Sequence, residues 1–172
     1  MCYAKYLMKE IMSEQQEKFN SEQAPEPVGL YPHARRVGDL LFLSGVGPRE
    51  RGTKVIPGVT QDDDGNVVAY DIAAQCHSVF KNIRLILEAS GSSWDKIVDV
   101  TVFLTNMKDD FKIYNQIYAE YFKDNQPCRT TLEINCLPTP IGIEIFSRNC
   151  AIISATSTKF MLDAPVTPFN ET

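Results

Sequence analysis

The sequence predicts an α+β domain in which a mixed β-sheet is covered on one face by two helices. Short apolar or β-branched runs alternate with two longer segments whose apolar residues recur at three and four, giving the order β-β-loop-α-β-α-β-β. With 172 residues, 44% of them hydrophobic and 23% charged, the chain is long and apolar enough for one domain with a real core. No apolar run approaches the roughly 20 residues that a membrane helix requires.

Taken in order, residues 1–27 are polar and are expected to be a flexible N-terminal extension, with Leu7, Met8, Ile11 and Met12 at the spacing of a frayed helix. This stretch has neither the apolar centre nor the cleavage site of a secretory signal. Its first 23 residues hold four Glu and no Arg, which disfavours a mitochondrial presequence and points to a cytoplasmic protein. Arg35-Arg36-Val37 and Leu40 to Ser44 read as two strands joined by a tight turn at Gly38-Asp39 and ended at Gly45. Gly45 to Gly65 reads as a loop. Its run Asp62-Asp63-Asp64-Gly65 lacks the spacing and closing Glu of a calcium loop and reads as a solvated turn.

Asp71 to Ser90 is an amphipathic helix with Gly91 as its stop signal, and His77 lies beside its apolar stripe as a half-exposed residue. Ile97 to Leu104 is a β-branched strand. Asp110 to Phe122 is a second helix; a single lysine, Lys112, falls among its aromatic residues, so the stripe reads as core packing and not as a base-stacking surface. In Arg129 to Cys136, Leu132 and Ile134 face one way, and Arg129, Thr131, Glu133 and Asn135 the other. Pro138 and Pro140 break the chain before a last strand, Ile141 to Ile153. Residues 154–172, rich in Thr, Ser and Pro, read as a C-terminal extension, leaving residues 28–153 as the folding unit.

Charge and composition exclude several functions. With 17 Lys and Arg against 22 Asp and Glu, the formal charge is −5, which argues against general binding to nucleic acid or anionic membranes. The five cysteines, Cys2, Cys76, Cys128, Cys136 and Cys150, are odd in number with no C-x-x-C pair and read as reduced thiols. Two histidines, His33 and His77, are too few for a His-rich metal site. Glycine-rich nucleotide loops, nucleophile elbows and zinc-protease motifs are missing. What remains is Arg129 at a strand start, Glu144 on the last strand and Asn115 in the second helix. A guanidinium there can grip a carboxylate with two parallel hydrogen bonds, and a glutamate can hold and activate water. Taken alone, the pattern favours a structural ion pair between Arg129 and Glu144, or solvent exposure of both, over a catalytic role.

The stretch Pro127-Cys128-Arg129-Thr130-Thr131, then Leu137-Pro138 and Ile143-Glu144-Ile145, resembles the C-terminal signature of the Rid family of reactive intermediate (imine/enamine) deaminases. Val37 to Gly45 resembles the family's first hairpin, and Thr101 to Leu104 with Tyr114-Asn115 and Tyr118 its central strand and second helix. The form Pro32-His33-Ala34-Arg35-Arg36-Val37-Gly38-Asp39 is similar to the 2-aminomuconate deaminase branch, with His33 standing where many members have tyrosine. The resemblance implies a chorismate-mutase-like fold, a six-stranded sheet assembled into a trimeric barrel, and active sites between subunits. It implies that Arg129 binds the substrate carboxylate, that Glu144 positions the attacking water, and that the backbone at Ser44, Gly45 and Cys128 meets the amino or imino group. Asn115 and His33 are then expected to line the pocket. No metal or cofactor is implied. The implied reaction is hydrolytic deamination of 2-aminomuconate to 4-oxalocrotonate in tryptophan or 2-aminophenol catabolism. A second carboxylate on that substrate makes Arg35, Arg36, Arg49 and Arg51 candidates for a second cation. Broad clearance of 2-aminoacrylate-type imines, or a non-catalytic carboxylate-binding trimer, are the other readings the resemblance allows.

Overall fold

Two strands with alternating buried and exposed side chains, β6 (Ile97–Leu104) and β8 (Ile143–Cys150), pair antiparallel at the heart of a six-stranded sheet. The structure, a computed structural model, describes residues 16–53, 55–64 and 66–150. The other strands are β1 (Gln16–Phe19), β2 (Ala34–Val37), β3 (Leu40–Leu43) and β7 (Cys128–Glu133), in the sheet order β1-β2-β3-β8-β6-β7. Every neighbouring pair is antiparallel except β6 and β7, whose parallel register needs a crossover. Helix α2 (Met107–Phe122) supplies that crossover, and α1 (Ile72–Ala89) packs beside it.

Helix α1 begins where Asp71 accepts hydrogen bonds from the Ala73 and Ala74 amides, and it stops at Gly91, whose φ of 67° favours glycine. Its stripe Ile72, Cys76, Val79, Phe80, Ile83, Ile86 and Leu87 packs with Tyr114, Ile117, Tyr118 and Phe122 of α2. Both cover one sheet face, formed by Leu41, Leu43, Val100, Val102, Leu104, Ile143 and Ile145. Each fully buried aliphatic side chain contributes about 1.5–3 kcal/mol, so this layer dominates stability. Tyr114, Ile117, Tyr118 and Phe122 of the second helix are core, as their spacing predicts, whereas Phe111 is exposed. His77 is exposed and bonds Tyr121 Oη through Nδ1 at 2.9 Å.

Three expectations change. The folded unit begins upstream of Val28, because Gln16–Phe19 is not helical but adds an edge strand to β2; residues 1–15 and 151–172 lie outside the described residues. The segment read as a loop contains a separate hairpin, β4 (Val59–Gln61) and β5 (Val67–Tyr70). Its Asp62 turn is the local one predicted, with Oδ1 accepting from the amides of Asp64 and Asn66. Helix α2 starts at Met107, capped by Asn106, and not at Asp110. The Gly38-Asp39 turn joins β2 and β3 as expected, with Val37 opposite Leu40 and Gly38 at a φ of 56°.

The opposite sheet face is open. Leu40, Phe42, Leu132 and Phe146 are each more than a third exposed, and Phe103 stands edge-on to Phe146 with ring centroids 5.6 Å apart. On this face Arg148 pairs with Asp99.

Gly142, just before β8, illustrates how tightly the hairpin segment meets the core. A Cβ there would lie 2.7 Å from the Tyr70 ring, and Tyr70 is tethered by donating a 2.6 Å hydrogen bond to Asp110. Gly142→Ala is therefore expected to cost about 1–3 kcal/mol of stability, read as a lower denaturation midpoint in urea.

Candidate functional site

The chain leaving β3 decides where Glu144 sits. Val46 and Ile145 exchange two backbone hydrogen bonds, of 2.9 and 3.1 Å, which lays Gly45 beside the side chain of Glu144. A Cβ on Gly45 would fall 2.5 Å from Glu144 Oε1, so only glycine leaves room for the carboxylate in this position. Ser44 is fixed by donating from Oγ to Pro32 O at 2.7 Å and from its amide to His33 O at 3.0 Å. Glu144 pairs in register with Phe103 and thus belongs to the open face of the sheet. Tyr31, Ser44, Gly45, Arg49, Glu144 and Phe146 line a cavity of about 310 Å³ there, near the lower end for small-molecule sites.

Partial burial raises the pKa of Glu144 above the ordinary carboxylate value, and the Arg49 guanidinium offsets only part of that rise. If the carboxylate form is what activates water, kcat/KM falls as pH drops through this raised value. Its acid limb is then expected above the ordinary 4.5 of a glutamate, measurable as a pH–rate profile whose limb disappears in Glu144→Gln.

Arg129 stands elsewhere. It is in register with Val100, whose side chain faces the helices, so Arg129 projects toward α2 and not toward the open face. Its Nη1 donates to Asn115 Oδ1 at 2.9 Å, and the guanidinium lies 4.5 Å from the centroid of the Tyr118 ring and 5.6 Å from that of Tyr114. Burial raises the pKa of both phenols, although the nearby Arg129 opposes the rise. Cys128 is exposed at the start of the same edge strand.

Within one chain, Arg129 and Glu144 therefore occupy opposite faces of the sheet, two strands apart, a lateral offset of roughly 10 Å. They form no ion pair, which removes the structural pairing that the sequence left open. The predicted residues fall into two groups: Ser44, Gly45 and Glu144 at the open-face cavity, and Arg129, Asn115 and Cys128 at the β7 edge. His33 is buried beside the first group. Its Nδ1 accepts from the Ser21 amide at 2.9 Å and Nε2 donates to Pro25 O at 2.8 Å, so both ring nitrogens hold the upstream segment in place. Sequence reasoning missed Tyr31, an aromatic side chain two residues earlier in the same motif that lines the cavity.

A protein-family model described as Endoribonuclease L-PSP matches residues 21–148. Among curated proteins, a RutC family protein of Pyrococcus horikoshii is 38% identical over 125 residues, covering 73% of this chain and 90% of its own. The chain is a member of the Rid family. Reactive Intermediate Deaminase A of Arabidopsis thaliana, described as chloroplastic, is 35% identical over 133 residues, which are 77% of this chain and 65% of that protein. A Yersinia pestis protein of the conserved Rid family, described as of unknown function, has a crystal structure that superposes with a TM-score of 0.66 at 32% identity. That match covers 79% of this chain and 99% of the other. As a Rid protein the chain has the predicted α+β fold, and its relatives support imine or enamine deaminase chemistry in general.

Gly45→Ala tests the close approach in this Rid site. The added methyl must push the Glu144 carboxylate away, and misplacement by about 1 Å is expected to lower kcat about 10- to 100-fold with the protein still folded by circular dichroism.

Proposed function

We propose that the protein hydrolyses the imine tautomers of carboxylate-bearing enamines, releasing ammonia, and that 2-aminomuconate is its substrate. The observation that carries this reading is the half-buried Glu144 carboxylate held over the Gly45 backbone at a cavity on the open sheet face.

The enamine first gains a proton at carbon and becomes the protonated imine (iminium), whose carbon is electrophilic. Glu144 accepts a proton from water as the oxygen adds to that carbon, giving a tetrahedral carbinolamine. The nitrogen then receives a proton, the C–N bond breaks with its electron pair leaving on ammonia, and the hydroxyl oxygen forms the new carbonyl as Glu144 takes its proton. No electrons enter or leave, and once the iminium has formed one base in a fixed position serves the proton transfers of water addition and ammonia release. Arg129 grips the substrate carboxylate through the guanidinium edge that Asn115 leaves free.

Because Arg129 and Glu144 face opposite ways in one chain, the reading needs a second copy to bring them to one substrate. The open apolar face is where copies meet: covering Leu40, Phe42, Leu132 and Phe146 in a homotrimer removes their exposed area from water and sets the β7 edge of one subunit against the Glu144 cavity of the next. The name of the Arabidopsis relative agrees with the reaction class.

The substrate is tested by steady-state ammonia release from enzymatically generated 2-aminomuconate and 2-aminoacrylate. A clear preference for 2-aminomuconate is expected; equal or faster turnover of 2-aminoacrylate overturns the narrower assignment.

A further inference from the structure

Four arginines near the N-terminal half were equivalent candidates for a second cation, and their surroundings separate them. Arg35 bonds Gln16 on the edge strand β1. Arg36 is paired with Glu17 at 3.6 Å, donates to Ser90 O at 3.1 Å and lies over the Phe19 ring. Arg51 is paired with Glu26 at 3.2 Å and donates to Ala24 O at 2.9 Å. Arg49 differs from all three. It lines the Glu144 cavity and has no carboxylate within ion-pair distance among the described residues. Among the described residues its guanidinium makes one hydrogen bond, Nη2 donating to Glu26 O at 2.7 Å, so most of its five N–H donors remain available.

Its position is also built. Asn82 of α1 donates from Nδ2 to Gly47 O at 3.0 Å and to Arg49 O at 2.9 Å, and Ser78 donates from Oγ to Pro48 O at 2.7 Å. Three side-chain bonds from a rigid helix thus fix the backbone of residues 47–49 against the cavity. With its backbone held this way, Arg49 has only its own side-chain torsions left to order when it forms a forked contact with a carboxylate. The electrostatics call for such a contact. A dianion entering a cavity that already holds Glu144 meets like charge, and a guanidinium on the cavity wall offsets it.

We infer that Arg49 is the specificity-determining residue of the Glu144 cavity, binding a second substrate carboxylate remote from the imine carbon and so selecting dicarboxylates over monocarboxylates. The inference rests on the proposed deaminase reading, in which Arg129 of a neighbouring copy holds the first carboxylate.

The experiment compares wild type, Arg49→Ala and Arg49→Lys in two ways. One is the ratio of kcat/KM for 2-aminomuconate over 2-aminoacrylate. The other is calorimetric preference for unreactive muconate over sorbate, a monocarboxylate of equal chain length. Loss of a charge-assisted contact is expected to lower both ratios about 10- to 100-fold in Arg49→Ala, the kinetic one mainly through KM, with partial recovery in Arg49→Lys. Ratios unchanged in Arg49→Ala, or both substrates losing equally, overturn the role of Arg49 while leaving the deaminase reading in place. Absence of ammonia release from either substrate in the wild type overturns the deaminase reading instead, and the muconate–sorbate preference still decides whether Arg49 selects a second carboxylate.

Discussion

Glu144→Gln is expected to lower kcat/KM for imine hydrolysis by about 10²- to 10⁴-fold, the range for removal of a general base. The amide keeps the shape of the side chain and its place over Gly45, yet it cannot accept a proton from water. The same substitution is not expected to weaken the fold. The folded-state pKa of Glu144 is raised, so its contribution to stability is full below the unfolded value and is lost as pH rises through the folded value. At neutral pH the ionised carboxylate is therefore a burden to the fold. A neutral amide should leave the urea midpoint unchanged or slightly higher. Loss of activity together with a marked fall in midpoint would assign Glu144 a structural role.

Arg129→Ala is expected to cost about 30- to 10³-fold in kcat/KM, the usual consequence of leaving a carboxylate without its charged partner. The site explains why the effect is specific to arginine. Asn115 occupies one edge of the guanidinium and Tyr118 one face, so the remaining edge presents parallel donors in a fixed plane. Arg129→Lys keeps the charge but loses the fork and the stacking, and is expected to recover only part of the activity. Subunit assembly, checked by light scattering, should be the same in all three proteins, because Arg129 points to α2 and not to the open apolar face.

Much of this was legible in the sequence, and the reasons for the rest are physical. Helix α1 was read nearly to its ends because its periodic stripe, Asp71 cap and Gly91 stop agree. The start of α2 is hidden because the charged run Lys108-Asp109-Asp110 follows Met107 and interrupts the apolar stripe; the Asn106 cap marks that turn. Strand β1 is polar and mostly exposed, so only its pairing with β2 makes it a strand, and pairing leaves no local pattern. The hairpin of β4 and β5 is hidden for a similar reason, being short, largely exposed and joined by an acidic turn. Arg129, Asn115, Glu144 and Gly45 are candidates in the sequence, but which sheet face each occupies depends on register. A strand's period of two fixes relative facing within β7 or β8 and says nothing about facing between them. In β7 the polar row of Arg129, Thr131 and Glu133 turns toward the helices and leaves Leu132 outside, the reverse of an ordinary half-buried strand. That inversion separates the two halves of the site. Likewise, the four arginines cannot be ranked by sequence, since their backbone and carboxylate partners come from residues 16–26 and 90.

The central claim is that Arg129 and Glu144 act on one substrate from different subunits. Coexpression of Arg129→Ala and Glu144→Gln chains in equal amounts, followed by assay of the purified mixed assemblies, tests it most directly. Each inactive chain carries the half-site that the other lacks. If sites are shared between neighbours, random assembly gives both intact halves in about one site in four, so about a quarter of wild-type activity should return. Activity no higher than that of either variant alone would place both residues in a single-chain site and contradict the account.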